Sequence, residues 1–342
     1  MHSAPETPSA VVTSSGPHPT TDDSRPPMAA GRPSTSGIVR GLVKTARPHQ
    51  WVKNLFVLAP MFFHKDVFLA TSQGPALNLT VTGRALGATA VFCFLAGAVY
   101  TINDLVDVEA DRIHPVKRSR PIASGSVPEG VARVAAVVLV IGSLVAAYAI
   151  APLFAFVALV YFLENLAYSF KLKSVAFFDV ALIAFGFVLR VVAGGIATAV
   201  HVSAYMLACT ALLALYLGFG KRRHELALEH ARKQRAALQA YSTRSLNVAM
   251  CVTGMAAALT YVAYTLAPAT RAFFNSDRLW LTAPFVVYGI LRFLLLVNGR
   301  AGRGLRAESP TQEMLRDVPF VLNLTLWVVV VVAVVYKLRP NG

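Results

Sequence analysis

Charge is scarce in this sequence. Only 14% of its 342 residues are Asp, Glu, Lys or Arg, whereas 56% are hydrophobic. A soluble domain carries about 25% charge. The shortage excludes an ordinary water-soluble globule and a disordered chain alike. Acids are scarcer than bases, 17 against 32, for a formal net charge of +15. Cysteine is nearly absent. Cys93, Cys209 and Cys251 fall in apolar runs without a CxxC pair. They are expected to be small buried core residues, with no disulfide framework. The eight histidines show no zinc-ligand spacing, and His114, His201 and His224 read as non-ligands. Residues 1–37 lack an apolar core and are rich in Ser, Thr, Pro, Ala and Gly. They are expected to be a disordered cytosolic tail and not a cleaved signal peptide.

What the chain does have is long apolar runs. They fall at roughly 50–70, 84–102, 130–149, 152–169, 175–199, 203–220, 246–267, 279–298 and 318–337, each near the length that spans a bilayer as a helix. The expected fold is an all-α polytopic membrane protein with nine transmembrane helices. Residues 38–342 would form one catalytic domain, capped by cytosolic loops 2–3 (about 103–129) and 6–7 (about 220–245). With the N-terminus inside, 25 of the 32 Lys and Arg fall on the cytosolic side and six outside, with Arg190 inside the fifth span. Positive charge collects in cytoplasmic loops. The N-terminus and active site are therefore expected in the cytosol and the C-terminus outside, in the plasma membrane. Cations sorted by topology also argue against nucleic acid as a partner.

The acidic residues concentrate at one place. Span two closes on Asn103-Asp104-Leu105-Val106-Asp107-Val108-Glu109-Ala110-Asp111. On a helix at about 100° per residue, Asn103, Asp107, Asp111 and Asp104 share one quarter of the surface, and Glu109 points away. Like charges about 4 Å apart at an effective dielectric near 20 repel by roughly 4 kcal/mol per pair. A divalent cation removes that repulsion, and hard oxygen ligands suit Mg²⁺ shared with substrate phosphates. Asn103, Asp104, Asp107 and Asp111 are the candidate metal ligands.

Cations follow at once: Lys117, Arg118 and Arg120, then a Ser124-Gly125 turn. Lys53 starts span one. Tyr168 and Lys171 end span four, with Asp179 beyond. Lys221, Arg222, Arg223 and Glu225 end span six. Cationic side chains beside a metal site suit a diphosphate, the metal on one edge and guanidinium forks on the other. The reaction implied is metal-assisted departure of a diphosphate from carbon at a membrane interface, with a lipidic second substrate.

At these residues the chain resembles the UbiA superfamily of intramembrane prenyltransferases. Asn103, Asp107 and Asp111 match its N-x-x-x-D-x-x-x-D motif, and Arg120-Pro121 and Gly125 also fit. The resemblance covers about residues 40–337 and implies nine helices around a central cavity open to lipid. One position departs from the pattern: the second aspartate-rich motif after helix six reads Lys221-Arg222-Arg223-His224-Glu225 here. The runs NDLVDVEADRIHPVKRSRPIASG, YSFKLK and GKRRHE resemble the branch that moves 5-phosphoribosyl from 5-phosphoribosyl 1-diphosphate to decaprenyl phosphate. That resemblance implies Mg²⁺ as cofactor, release of diphosphate, decaprenyl or another polyprenyl phosphate as acceptor, and a product used for arabinan in the cell wall. It implies that Asp107 and Asp111, assisted by Asn103 and Asp104, hold Mg²⁺ and diphosphate. Lys53, Arg118 and Arg120 would neutralise the leaving group or orient the ribose. Tyr168, Lys171, Lys221, Arg222 and Arg223 would hold the 5-phosphate or the acceptor phosphate, and Glu225 the arginines or a ribose hydroxyl. Prenyl transfer to an aromatic ring is the alternative within the fold, and it predicts the missing second acidic motif. A transporter predicts charge at the bilayer centre. A homo-oligomer is compatible with such apolar surfaces, but no sequence feature specifies one.

Overall fold

The computed structural model describes residues 34–63, 67–71, 74–227, 236–299, 314 and 316–336. Most of the expected tail, residues 228–235 of loop 6–7, Lys65 and the basic residues of 300–313 lie outside these. Among the described residues, eight helices are long and apolar enough to cross a membrane. They are α3 (Leu79–Val106), α5 (Glu129–Ile150), α6 (Pro152–Phe170), α7 (Phe178–Thr198), α8 (Ala204–Leu226), α10 (Thr243–Leu266), α12 (Ala283–Gly299, entered through a 3-10 turn at Leu279–Thr282) and α13 (Val318–Val335). Short helices α1 (Thr35–Thr45), α2 (Ala59–Phe63), α4 (Val108–Ile113), α9 (Ala236–Gln239) and α11 (Pro268–Phe274) connect or precede them. Helix α1 begins just inside the stretch expected to be tail, where the Ser34 hydroxyl accepts from Gly37 N.

The first predicted span is not a long α-helix, so the expected count of nine such helices falls to eight among the described residues. Its chain turns at Arg47 (φ 52, ψ 62) and runs as a 3-10 helix over Pro48–Leu58 before α2. At about 2.0 Å per 3-10 residue and 1.5 Å per α residue these elements extend about 30 Å, the thickness of the hydrocarbon core. The segment starts beside the C-terminal end of α3, where Arg47 pairs with Asp104. It ends beside the start of α3, where Leu58 and Met61 pack with Val81 and Ala85. There the Tyr336 hydroxyl at the end of α13 donates to Phe62 O. It therefore crosses the bundle from end to end. Its burial has a period of three, with Asn54, Val57 and Pro60 all buried, as a 3-10 helix demands. The approach to α7 is very close: a Cβ on Gly194 would lie 1.9 Å from Val57 O, so only glycine lets the backbones meet there. A hairpin, β1 (Phe68–Thr71) with β2 (Gly74–Leu77), returns the chain to α3.

Helix α7 joins two cores. Its Leu189 and Ala193 pack with Val57, Phe92, Phe154 and Tyr161, whereas its Val180 packs with Tyr216, Phe219, Met250 and Phe293. At the end where α3 finishes, Leu42 of α1 joins Val108, Ile122 and Val127, so α1 and the 103–129 loop cap the same end. The outer faces carry exposed aliphatics such as Val138, Ile141 and Val145, which lipid covers. The cysteine expectation holds only for Cys93. Cys209 on α8 is half-buried and Cys251 on α10 exposed, since these helices are apolar on their outer faces as well and an apolar run alone does not tell the two faces apart.

Candidate active site

The N-x-x-x-D-x-x-x-D stretch does not continue one helix. Helix α3 ends at Val106, Asp107 adopts φ −88 and ψ 5, and α4 starts at Val108. The helix is broken, yet Asp104 and Asp111 still share a face, with Glu109 on the other side. The acids are organised by two arginines. Asp104 Oδ1 accepts from Arg47 Nη2 (2.7 Å) and from Arg120 Nη1 (3.2 Å), and Arg120 Nη1 also reaches Asp111 Oδ2 (2.6 Å). Asp104 and Asp111 are buried, whereas both arginines keep 28% of their side-chain surface exposed. The Arg47 guanidinium lies over the Tyr100 ring at 4.9 Å. The Asn103 amide donates to Ser169 Oγ (3.0 Å) on α6. Half-buried Asp107 makes no side-chain hydrogen bond or ion pair with a described residue. Glu109 points outward and pairs with Arg112.

Among the described residues, no three His, Cys, Asp or Glu side chains gather into a group that could hold a metal alone. The donor set still fits Mg²⁺ shared with a phosphorylated ligand. Asp107 is unengaged, and Asp104 and Asp111 each meet arginine through one oxygen only. Mg²⁺ needs only one or two carboxylates when substrate phosphates and water complete its octahedron.

A second polar centre lies where α6, α7 and α8 converge. Arg222 is fully buried. Its Nε lies 2.6 Å from Asp179 Oδ2, its Nη1 pairs with Glu225, and its Nη2 donates to Tyr168 Oη (3.3 Å). Lys221 Nζ sits 3.9 Å from Glu225 Oε1. The Tyr241 hydroxyl, just before α10, donates to Asp179 Oδ1 (2.7 Å) and accepts from Phe177 N. Burial, then the bond to Asp179, push its pKa well above the ordinary phenol value, so Tyr241 stays a donor. Arg223 turns away, donating to Asn247 on α10 (3.2 Å).

The predicted residues thus separate into groups. Asp104, Asp111 and Arg120 come together, with Asp107 at the helix break beside them. Tyr168, Lys221, Arg222 and Glu225 form the second centre. Lys53 donates to Gln50 Oε1 (2.8 Å) and shares the field of Lys221, Arg190 and Arg47. Half-buried Lys117 and exposed Arg118 and Lys171 make no side-chain hydrogen bond or ion pair with a described residue. Sequence reasoning missed Arg47, whose partner is 57 residues away. It also left Arg190 without a partner. The structure gives it Asn54, Gly186 O and Tyr161. A signal was present for this interior lining, because Tyr161, Glu164 and Tyr168 recur at helical spacing in an apolar helix.

Known proteins resemble this chain in sequence and fold. The model of the UbiA prenyltransferase family matches residues 57–307. The decaprenyl-phosphate phosphoribosyltransferase of Mycolicibacterium smegmatis is 34% identical over 320 residues, covering 90% of this chain and 95% of that one. The protein of the same name from Mycobacterium tuberculosis is 35% identical over 306 residues, covering 88% and 96%. Among solved structures, a UbiA homolog from Archaeoglobus fulgidus bound to GPP and Mg²⁺ superposes with a TM-score of 0.63 at 17% identity, covering 86% of this chain and 99% of that one.

Proposed function

This chain is a transferase that belongs to the UbiA prenyltransferase family, and from that premise we propose that it moves 5-phosphoribosyl from 5-phosphoribosyl 1-diphosphate to decaprenyl or another polyprenyl phosphate. Diphosphate leaves. The observation that carries the reading is the contrast between two helix ends. The α3 end supplies one acidic motif clamped by arginines, and the α8 end is basic where a second acidic motif would serve a prenyl donor. Two relatives, matched over nearly their whole length, bear the name of this activity.

Asp107 and Asp111 would hold Mg²⁺, with Asn103 and Asp104 close by. When bound, the ion neutralises charge on the departing diphosphate. Arg120, already aimed across Asp104 and Asp111, turns its remaining N–H groups to phosphate oxygens. Lys53, Lys117 and Arg118 add positive charge to the same anion. Tyr168, Lys171 and Lys221 bind the 5-phosphate or the acceptor phosphate, and Arg223, turned toward Asn247, is not given that role. Arg222 is buried and holds Tyr168 and Glu225 in place for that task. The acceptor oxygen is already an anion, so the chain needs no strong base. Its work is alignment and charge stabilisation, giving displacement with inversion at the anomeric carbon. The lipid tail lies along the apolar wall, in the bilayer. Positive-inside charge supports a cytosolic site, and the product would serve arabinan synthesis in the cell wall.

The test uses purified protein in detergent with Mg²⁺, radiolabelled 5-phosphoribosyl 1-diphosphate and a polyprenyl phosphate. Label entering the organic phase, and lost on chelation, is the expected result. A parallel tube holds geranylgeranyl diphosphate and 4-hydroxybenzoate. Prenylation there, with no label in lipid in the first tube, overturns the donor assignment and leaves the fold.

A further inference from the structure

Two ionisable groups face each other at membrane depth without touching. Glu164 of α6 is half-buried. Its Oε2 accepts from the side-chain amide of Asn165 (2.7 Å), and it makes no ion pair with a described residue. Arg190 of α7 is 8% exposed. Its Nε donates to Asn54 Oδ1 (2.9 Å), its Nη1 to Gly186 O (2.9 Å) and its Nη2 to Tyr161 Oη (2.7 Å). The guanidinium also lies over the Tyr161 ring at 4.6 Å. Three of five N–H groups are thereby used. Gly186 sits between the pair: a Cβ there would lie 3.5 Å from Arg190 Nη1 and 3.5 Å from Glu164 Oε2.

Ionisable side chains within a bilayer are costly and mark function. A carboxylate and a guanidinium held apart, each with capacity to spare, fit a group that donates to one and accepts from the other. A hydroxyl does both. A phosphate would be repelled by Glu164, and an isoprenoid chain has nothing to donate. The depth also fits. Asn103, beside Asp104, donates to Ser169 of α6 (3.0 Å), and Glu164 lies five residues before Ser169 on that helix, about 7.5 Å along its axis. That is the span of a pentose hanging below a diphosphate at the Arg47–Asp104–Arg120–Asp111 clamp. We propose that Glu164 and Arg190, flanking Gly186, form a hydroxyl-binding subsite that recognises the ring hydroxyls of the sugar donor and makes this site selective for a pentosyl diphosphate. The inference rests on the phosphoribosyl reading above.

The experiment measures kcat and KM for 5-phosphoribosyl 1-diphosphate and for its 2-deoxy and 3-deoxy analogues. Wild type, Glu164→Gln and Gly186→Ala are compared with Mg²⁺ and a polyprenyl phosphate. Wild type should prefer the natural donor over at least one analogue by roughly 100-fold, because a site built for a hydroxyl leaves polar groups unpaired without it. Glu164→Gln should shrink that preference to less than about tenfold, chiefly through donor KM, with acceptor KM unchanged. Gly186→Ala, whose methyl occupies the gap in ordinary contact, should shrink it in the same direction. Both variants keeping the wild-type preference overturns the subsite and leaves the phosphoribosyl reading standing. If Glu164→Gln does not fold, an intact preference in folded Gly186→Ala overturns it alone. A wild type that prenylates an aromatic acceptor and transfers no phosphoribosyl removes both.

Discussion

Two arginine–carboxylate centres stand at the same end of the bundle and differ in burial. Around Arg222 every partner is a fixed protein group, and both Arg222 and Asp179 have no exposed surface. Around Arg120 and Arg47 the acids are buried, but the arginines remain open and Asp107 is left unengaged. Exposure, more than composition, separates a post that ties α6, α7 and α8 together from a site that can exchange partners with a ligand. Removing one partner of a buried pair leaves an uncompensated charge and is costly, whereas an open pair trades protein for water or phosphate.

The contrast can be broken from either side. Asp107→Asn should act on chemistry alone, lowering transfer on the order of 10³-fold while the melting temperature holds; a variant with near-normal turnover would remove the acidic motif from the site. Arg222→Met should act on stability, costing about 3–5 kcal/mol by leaving Asp179 buried and unpaired. Adding Asp179→Asn should restore part of that loss in a denaturation series. Arg120→Lys keeps the charge but loses the guanidinium N–H groups that Nη1, bridging Asp104 and Asp111, leaves for phosphate, so donor KM should rise roughly 10–100-fold with little change in melting. An equal fall in stability would erase the distinction between the two centres. Least of all, Glu109→Gln on the exposed rim should leave both rate and stability unchanged, within about 0.5 kcal/mol.

Much of this was legible in the sequence because the bilayer imposes a coarse rule. Eight predicted runs, from 84–102 to 318–337, became long helices within a few residues of their expected ends. The acidic motif was legible because Asn103, Asp104, Asp107 and Asp111 lie within one short stretch. Its internal geometry was legible in part: Asp104 and Asp111 do share a face, whereas the break at Asp107 leaves no mark on a helical wheel. Arg47 with Asp104, and Arg190 with Asn54 across 136 residues, depend on which helices become neighbours, and local periodicity is blind to that. The first crossing did leave a trace. Arg47, Gln50 and Lys53 recur every third residue along one edge, and Trp51, Asn54, Val57 and Pro60 along another. That period belongs to a 3-10 helix and not to an α-helix.

The stretched first crossing also changes how such a chain must be counted. Sixteen residues do there what an α-helix needs about 20 to do, and a hydropathy window of about 19 residues averages their apolar signal with the polar turn before them. Counting only the eight long helices gives an even number of passes and puts the two ends of the described chain on one side of the membrane. Counting the crossing from Arg47 to Phe62 makes the number odd, with α1 beside the acidic motif and Tyr336 at the far end. Every loop in a topology map numbered from the N-terminus therefore takes its side from this one slender segment.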